Sequence, residues 1–235
     1  RSRFAFWCRH ILSVKSEVTT GDSGHEGVQY NMSGTRRELP VWAEAYALLR
    51  DRIATFPTPG EIRSVNHDGE DVEILGYWPD APWTAPADAQ RLVFLGPVNE
   101  RTAESLQSAG WTETAKMSLL AGKPEDVEQV VKLPDTSALF EAPMNDYDVV
   151  EVTDFDRPVA RGRMHYGPSF GLLTDPDLYA PTDPDTARRA ILANFAGAAY
   201  GHGIPWLLLV ASSENAGTLA EGWSKATDLS FWQQG

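Results

Sequence analysis

The chain is poor in cysteine, in positive charge and in long apolar runs. A single cysteine, Cys8, excludes an intrachain disulfide and points to a reducing compartment, so a cytoplasmic location is expected. Lys and Arg number 20 against 33 Asp and Glu, a formal net charge of -13. That balance speaks against a nucleic-acid surface, which needs concentrated basic side chains to meet phosphate. It leaves room for a local basic pocket. No apolar run approaches the roughly 18 residues of a membrane span. The longest, around Leu207 to Ala211, has strand length. The opening stretch Arg1 to Cys8 is too short and interrupted for a signal core, and a chain starting on Arg need not start at its natural first residue. No P-loop or dinucleotide-binding glycine pattern occurs, and no local Ser/His/Asp or Cys/His motif. His10, His25 and His67 are far apart without ligand spacing, so no metal site is expected.

What is present is a globular composition, 42% hydrophobic and 10% aromatic, over 235 residues, enough for one large or two small domains. Its most informative feature is a duplication. Arg91-Leu-Val-Phe-Leu-Gly-Pro-Val-Asn99 is followed by a short helical stretch, then Gly110-Trp111 and a strand to Leu120. Trp206-Leu-Leu-Leu-Val-Ala-Ser-Ser-Glu-Asn215 is followed by a shorter one, then Gly222-Trp223 and a strand to Trp232.

Before the first copy, Arg3 to Val18 alternates loosely as one or two strands, and Thr19 to Gly27 is a polar loop. Pro40 to Thr55 reads as an amphipathic helix with Trp42, Tyr46, Leu49 and Ile53 on one face. Ile62 to Val65 and Val72 to Tyr77 are strands joined by the turn Asn66-His-Asp-Gly69. Gly122 to Pro134 is the domain boundary by its Gly and Pro punctuation, dividing the chain into residues 1–122 and 123–235. Strands then follow at Tyr147 to Asp154, Val159 to His165 and Ser169 to Thr174, an antiparallel meander. A helix spans Thr186 to Tyr200.

The meander, this helix, the strand Trp206 to Ala211, Asn215 and Gly222-Trp223 resemble the GNAT superfamily of N-acetyltransferases. Asn99, Gly110 and Trp111 match the family's spacing in the first copy, with Trp for its Phe. The resemblance covers residues 123–235 and, before them, roughly Arg91 to Leu120. It implies an α/β (α+β) fold: a mixed, mostly antiparallel sheet flanked by helices, in two tandem units, the first incomplete or diverged. It also implies acetyl-CoA or another acyl-CoA as cofactor and an amine, of a small molecule or a peptide, as acceptor. A homodimer is a further expectation.

The implied cofactor contacts are Leu173 and Thr174 at the strand end, Thr186, Ala187, Arg188 and Arg189 at the helix start, and Asn215. A helix start offers unpaired N–H groups and a positive dipole end to phosphate. The family's glycine loop is absent there, however. Pro184-Asp-Thr-Ala187-Arg-Arg189 stands in its place, flanked by Asp183 and Asp185. The general-acid Tyr position is Leu106 in the first copy and has no counterpart in the second. Arg188 and Arg189 either hold phosphates or pair with the two aspartates. The proton-transfer candidates are Glu151, against a solvated strand face, and His165, against a strand-end structural role. Asn215 also reads as the N-cap of the last helix, and His202 as a helix C-cap. Trp7, Trp78 and Trp83 fall outside periodic faces and could line a pocket. Two functions stand: acyl-CoA-dependent N-acyl transfer, or a GNAT-fold binding or structural module that has lost normal CoA binding. In the first of these the first unit could face the cofactor instead, although residues 28–90 hold no phosphate loop.

Overall fold

The computed structural model describes residues 39–58, 60–79, 83–127, 130–219 and 221–235. The expected strands at Arg3 to Val18, the loop at Thr19 to Gly27, and Trp7, Cys8, His10 and His25 lie outside the described residues. Helix α1 is Trp42–Leu49; strands β1 Ile53–Thr58, β2 Glu61–Val65, β3 Val72–Tyr77 and β4 Arg91–Leu95 follow. Helix α2 is Glu100–Ser108, and β5 Trp111–Gly122 closes the first copy of the repeat. Then come β6 Ser137–Pro143, β7 Asp148–Asp154, β8 Arg157–Tyr166, β9 Gly171–Thr174 and β10 Asp177–Leu178. Helix α3 Pro184–Gly201, β11 Leu207–Ser212, α4 Ser213–Thr218 and β12 Trp223–Gln234 complete the chain.

All the described strands join one sheet in the order β1-β2-β3-β4-β12-β5-β11-β9-β8-β7-β6, with β10 on β8. It is mostly antiparallel, with parallel pairs at β3–β4 and β9–β11. The two copies of the repeat exchange their closing strands. β5 pairs with β11, from Gly122↔Leu207 to Met117↔Ser212, and β12 pairs with β4, from Leu95↔Leu229 to Arg91↔Gln233. Between them β5 and β12 pair along their full length, from Gly122↔Trp223 to Trp111↔Gln234. Each leading strand thus borders the other copy's closing strand.

Helix α1 is buried on nearly every side: Trp42, Ala43, Ala45, Tyr46, Ala47 and Leu49 are all inside. It touches β1 and β2 as well as β8 and β9. Strands β2 and β9 are six neighbours apart in the sheet order, about 29 Å in a flat sheet. An eight-residue helix is about 12 Å long. The sheet therefore curls around α1, and both halves of it feed one core from Ile62, Leu75 and Val93 to Leu119, Leu172, Leu208 and Leu229. On the outer face α3 covers β7, β8 and β9 through Ile191, Phe195 and Ala196, with Gly162 admitting Ile191 closely. There α2 lays Leu106 over Phe94, Trp111 and Trp232.

The expected helix Pro40 to Thr55 is shorter than its periodicity implies. It ends at Leu49 because Asp51 takes φ 56, and Ile53 opens β1, 52% exposed. The hairpin at Asn66 to Gly69 forms, with Gly69 at φ 76 and Asn66 Oδ1 accepting from Glu70 and Asp71. Edge strand β6 has no counterpart among the sequence expectations; its residues are mostly exposed. No helix among the described residues is long and apolar enough to cross a membrane.

The repeat's glycines supply a test. At Gly110 (φ 86) an added Cβ would meet nothing within 4 Å, whereas at Gly222 (φ 80) it would lie 2.3 Å from the Asp126 carbonyl oxygen. Gly110→Ala should lose about 1–2 kcal/mol from backbone strain alone. Gly222→Ala should lose more than about 2 kcal/mol in urea unfolding, because a rigid backbone atom stands in the way. Equal losses would show that the Asp126 contact is unimportant.

Candidate active site

Strand β9 hydrogen-bonds to β11 from Gly171↔Leu207 to Thr174↔Val210, and Asp175 N–H adds one more bond to the Val210 carbonyl, 2.9 Å. Pro176 then has no N–H to give. The chain turns to β8 instead, with Asp177↔Arg161 and Leu178↔Ala160, and Tyr179 N–H donates to Val159 at 2.7 Å. Register on β8 passes from Leu173↔Met164 to Asp177↔Arg161, so one residue bulges out. Past Asp175, β10 stays on β8 while β11 runs on to Ser212 against β5. A fork opens between them.

Three side chains meet in this fork. Asp175 Oδ1 accepts from Arg188 Nε at 3.1 Å, and Oδ2 accepts from Asn215 Nδ2 at 2.5 Å. Arg188 Nη1 also donates to Asp185 at 3.4 Å. Arg188 is only 8% exposed and the Asp175 side chain 15%. Arg188 therefore does pair with Asp185, as one reading of the sequence has it, but its buried partner is Asp175 and not Asp183. Asp183 is the N-cap of α3: its Oδ1 accepts from Thr186 N–H at 3.0 Å. Hydrogen bonds from Thr186 hold the Asp183 carboxyl below the usual carboxylate range, with help from the Arg189 charge.

The other expected site residues are scattered around the fork. Leu173 is fully buried beneath α3, and its neighbour Thr174 is half-buried. Thr186 and Ala187 line an apolar hollow of about 170 Å³ beside Val152, Phe155 and Val159, on the β7–β8 side of the α3 start. Glu151 faces away from α3 and is held by Arg161 across the strand, at 3.1 and 2.6 Å. His165 lies opposite Leu172, and its Nδ1 meets the Asp146 carbonyl at 2.8 Å. Because a carbonyl only accepts, Nδ1 is the donor in this hydrogen bond.

Asn215 lies in the first turn of α4 and is not its cap. Ser212 is the cap, accepting from Asn215 N–H at 3.1 Å. In the first copy Asn99 is the cap of α2, and its amide also donates to the Pro79 carbonyl at 3.2 Å. Both helices thus reach back to the end of a parallel strand, to Pro79 after β3 and to Asp175 after β9. His202 is the C-cap of α3 as expected. Trp78 and Trp83 pack on Phe94. Asp175 is the site residue that sequence reasoning misses; its signal is an acid-Pro pair at the end of an apolar strand, the mark of a bulge. Among the described residues no cluster of His, Cys, Asp and Glu could hold a metal.

Two consequences can be measured. Arg188→Met leaves the Asp175 carboxylate without its cation and should remove about 3 kcal/mol or more in urea unfolding. Glu151→Gln breaks a half-buried pair at the sheet surface and should remove about 1 kcal/mol or less. A smaller loss for Arg188 than for Glu151 would contradict the burial argument. At Asp183 the folded pKa is depressed, so its contribution is complete above the unfolded value near 3.9 and fades as pH falls through the folded one. Asp183→Asn keeps a capping oxygen. It should therefore show a smaller drop in Tm between pH 7 and pH 3 than the parent chain.

No family profile matches the chain, and no curated protein matches its sequence. Solved structures do match. A GCN5-related N-acetyltransferase from Kribbella flavida superposes with a TM-score of 0.55 at 13% identity, covering 82% of this chain and 93% of that one. A functionally unknown conserved protein from Staphylococcus epidermidis gives 0.55 at 8% identity, over 78% and 94%. A tandem GNAT protein from the clavulanic acid biosynthesis pathway gives 0.51 at 9% identity, over 85% and 89%. With two parallel strand pairs, each followed by a helix and a closing strand, the chain has the GCN5-related N-acetyltransferase fold.

Proposed function

We propose that the chain transfers an acyl group, acetyl in the simplest case, from an acyl-CoA thioester to an amine of a small molecule or peptide. The observation that carries this reading is the fork: a parallel pair that parts at a bulge, with helix starts on both sides. The GNAT-fold neighbours support the reaction type.

The fork suits the amide-bearing arm of CoA. Ala211 and Ser212 extend past the last β9 rung, so an extended chain could align beside them. The anionic end would meet Arg188 and Arg189 in place of a glycine loop. Guanidinium groups suit phosphate, although Asp175, Asp183 and Asp185 stand close by. When bound, the thioester supplies the acyl group and its leaving thiolate. The chain's part is to orient thioester and amine and to exclude water. His165 is three residues from Asp175 in strand register, about 10 Å. It shares the α1 face of the sheet with Leu172 and does not touch the fork directly. Glu151 is already paired with Arg161.

A second reading has its own observation. Two carboxylates, Asp175 and Asp183, fill the places where an anionic cofactor would bind, which favours a GNAT-fold binding or structural module. Acetyl-CoA separates the two. At about a hundredfold excess over Kd it adds about 2.7 kcal/mol of stability, so Tm should rise by about 5 °C or more. Free thiol should then appear with a suitable amine. An unmoved Tm with no thiol release removes the transferase reading.

A further inference from the structure

Asp175 stands at the branch point of the fork, and its two oxygens are divided between two walls. Arg188 reaches it from α3 and Asn215 from α4. Arg188 is nine-tenths buried, so its charge is committed to the fork interior and not to solvent. A guanidinium and a carboxamide converging on one anion make a receptor for an oxyanion; carboxylate and phosphate present a guanidinium edge with the same pair of oxygens.

We infer that this is an oxyanion-binding site whose resident occupant is the chain's own Asp175, and that an incoming phosphate or carboxylate group enters by displacing it. The inference rests on the proposed function only in taking the fork as a ligand site. The occupant is placed to leave. Asp175 is the last residue to bond β11, Pro176 adds no bond, and rotation of one side chain clears the apex without breaking the ladder. Asp185, 82% exposed and already 3.4 Å from Arg188, stays with the cation throughout. Asp175, Asp183 and Asp185 stand around Arg188 and Arg189, a surplus of acid. The parent chain is therefore a weak anion binder, and removing the internal carboxylate strengthens it.

Inorganic pyrophosphate titrated into the full chain by calorimetry tests this. Asp175→Ala should bind it about tenfold tighter or more, equivalent to about 1.4 kcal/mol, and adding Arg188→Gln should abolish the gain. A folded Asp175→Ala chain that binds pyrophosphate no tighter than its parent overturns the inference. If Asp175→Ala gives no cooperative melt, Asp175→Asn keeps the side-chain volume and loses the charge; its Kd should still fall about fivefold, and an unchanged Kd is equally fatal. Acetyl-CoA distinguishes the two proposals. Tighter pyrophosphate binding without any acetyl-CoA binding keeps this site and removes the transferase reading. Equal acetyl-CoA binding by parent and Asp175→Ala keeps that reading and overturns this one.

Discussion

The paired ribbon of β5 and β12 is the constraint on which the rest of the structure depends. The leading strands β4 and β11 do not pair with each other; each borders the ribbon on its own side. Backbone hydrogen bonds between the two closing strands therefore join the half-sheet β1–β4 to the half-sheet β6–β11. The ribbon's ends are fixed by glycine. Gly110 and Gly222 each take a left-handed turn before Trp111 and Trp223, and a Cβ on Gly122 would lie 2.6 Å from the Gly222 carbonyl oxygen. Trp111 seals the outer core under α2, and Trp223 packs against the outer core under α3. The α1 core then draws on both half-sheets, so it exists only when the ribbon has formed.

Arginine has a similar double use. In a chain of net charge -13 its cations are scarce, and several lie inside. In the first half Arg50 holds Glu73, a β3 carboxylate only 1% exposed, at 2.9 Å through Nη1, and stacks 4.2 Å above the Tyr46 ring. Burial there pushes the Tyr46 hydroxyl up to about 12. In the second half Arg188 holds Asp175. Each parallel strand pair thus carries a buried carboxylate neutralised from a helix or its end. Such pairs gain little against a hydrophobic replacement, since desolvation offsets attraction, yet they leave a costly charge if one partner goes. The arginines best placed to meet an anionic ligand are already engaged within the chain.

Much of the local structure is legible in the sequence. Asn66 to Gly69 reads as a hairpin and forms one. The strands expected at Tyr147 to Asp154 and Val159 to His165 form, joined by a turn in which Phe155 and Asp156 both adopt positive φ. The copies of the repeat and the helix over Thr186 to Tyr200 appear close to their expected bounds. Strand partners are not legible, because alternation reports which face a residue occupies and not which strand lies beside it. β6 is hidden because an exposed edge strand shows little apolar contrast. Spacing matches Asn215 with Asn99, whereas hydrogen bonding matches Asn99 with Ser212 as caps. Asp175 reads as an ordinary loop acid; only the bulge at Pro176 and the convergence of two helices make it the centre of the site.

The exchange of closing strands has a consequence for the site itself. Helix α4 lies between β11, a wall of the fork, and β12, which runs away to pair with β4 of the first half. The position of Asn215 is accordingly set at both ends: by the Ser212 cap next to the fork, and by a strand anchored in the opposite half-sheet. The amide that meets Asp175 is thus held in part by residues such as Leu95 and Phe94, which belong to the other copy of the repeat. A unit cut out at Gly122 would keep Asp175, Arg188 and Asn215 but lose β4 and β5, the strands on which β12 is anchored. The fork is a property of the paired copies, even though its reactive groups all lie in the second.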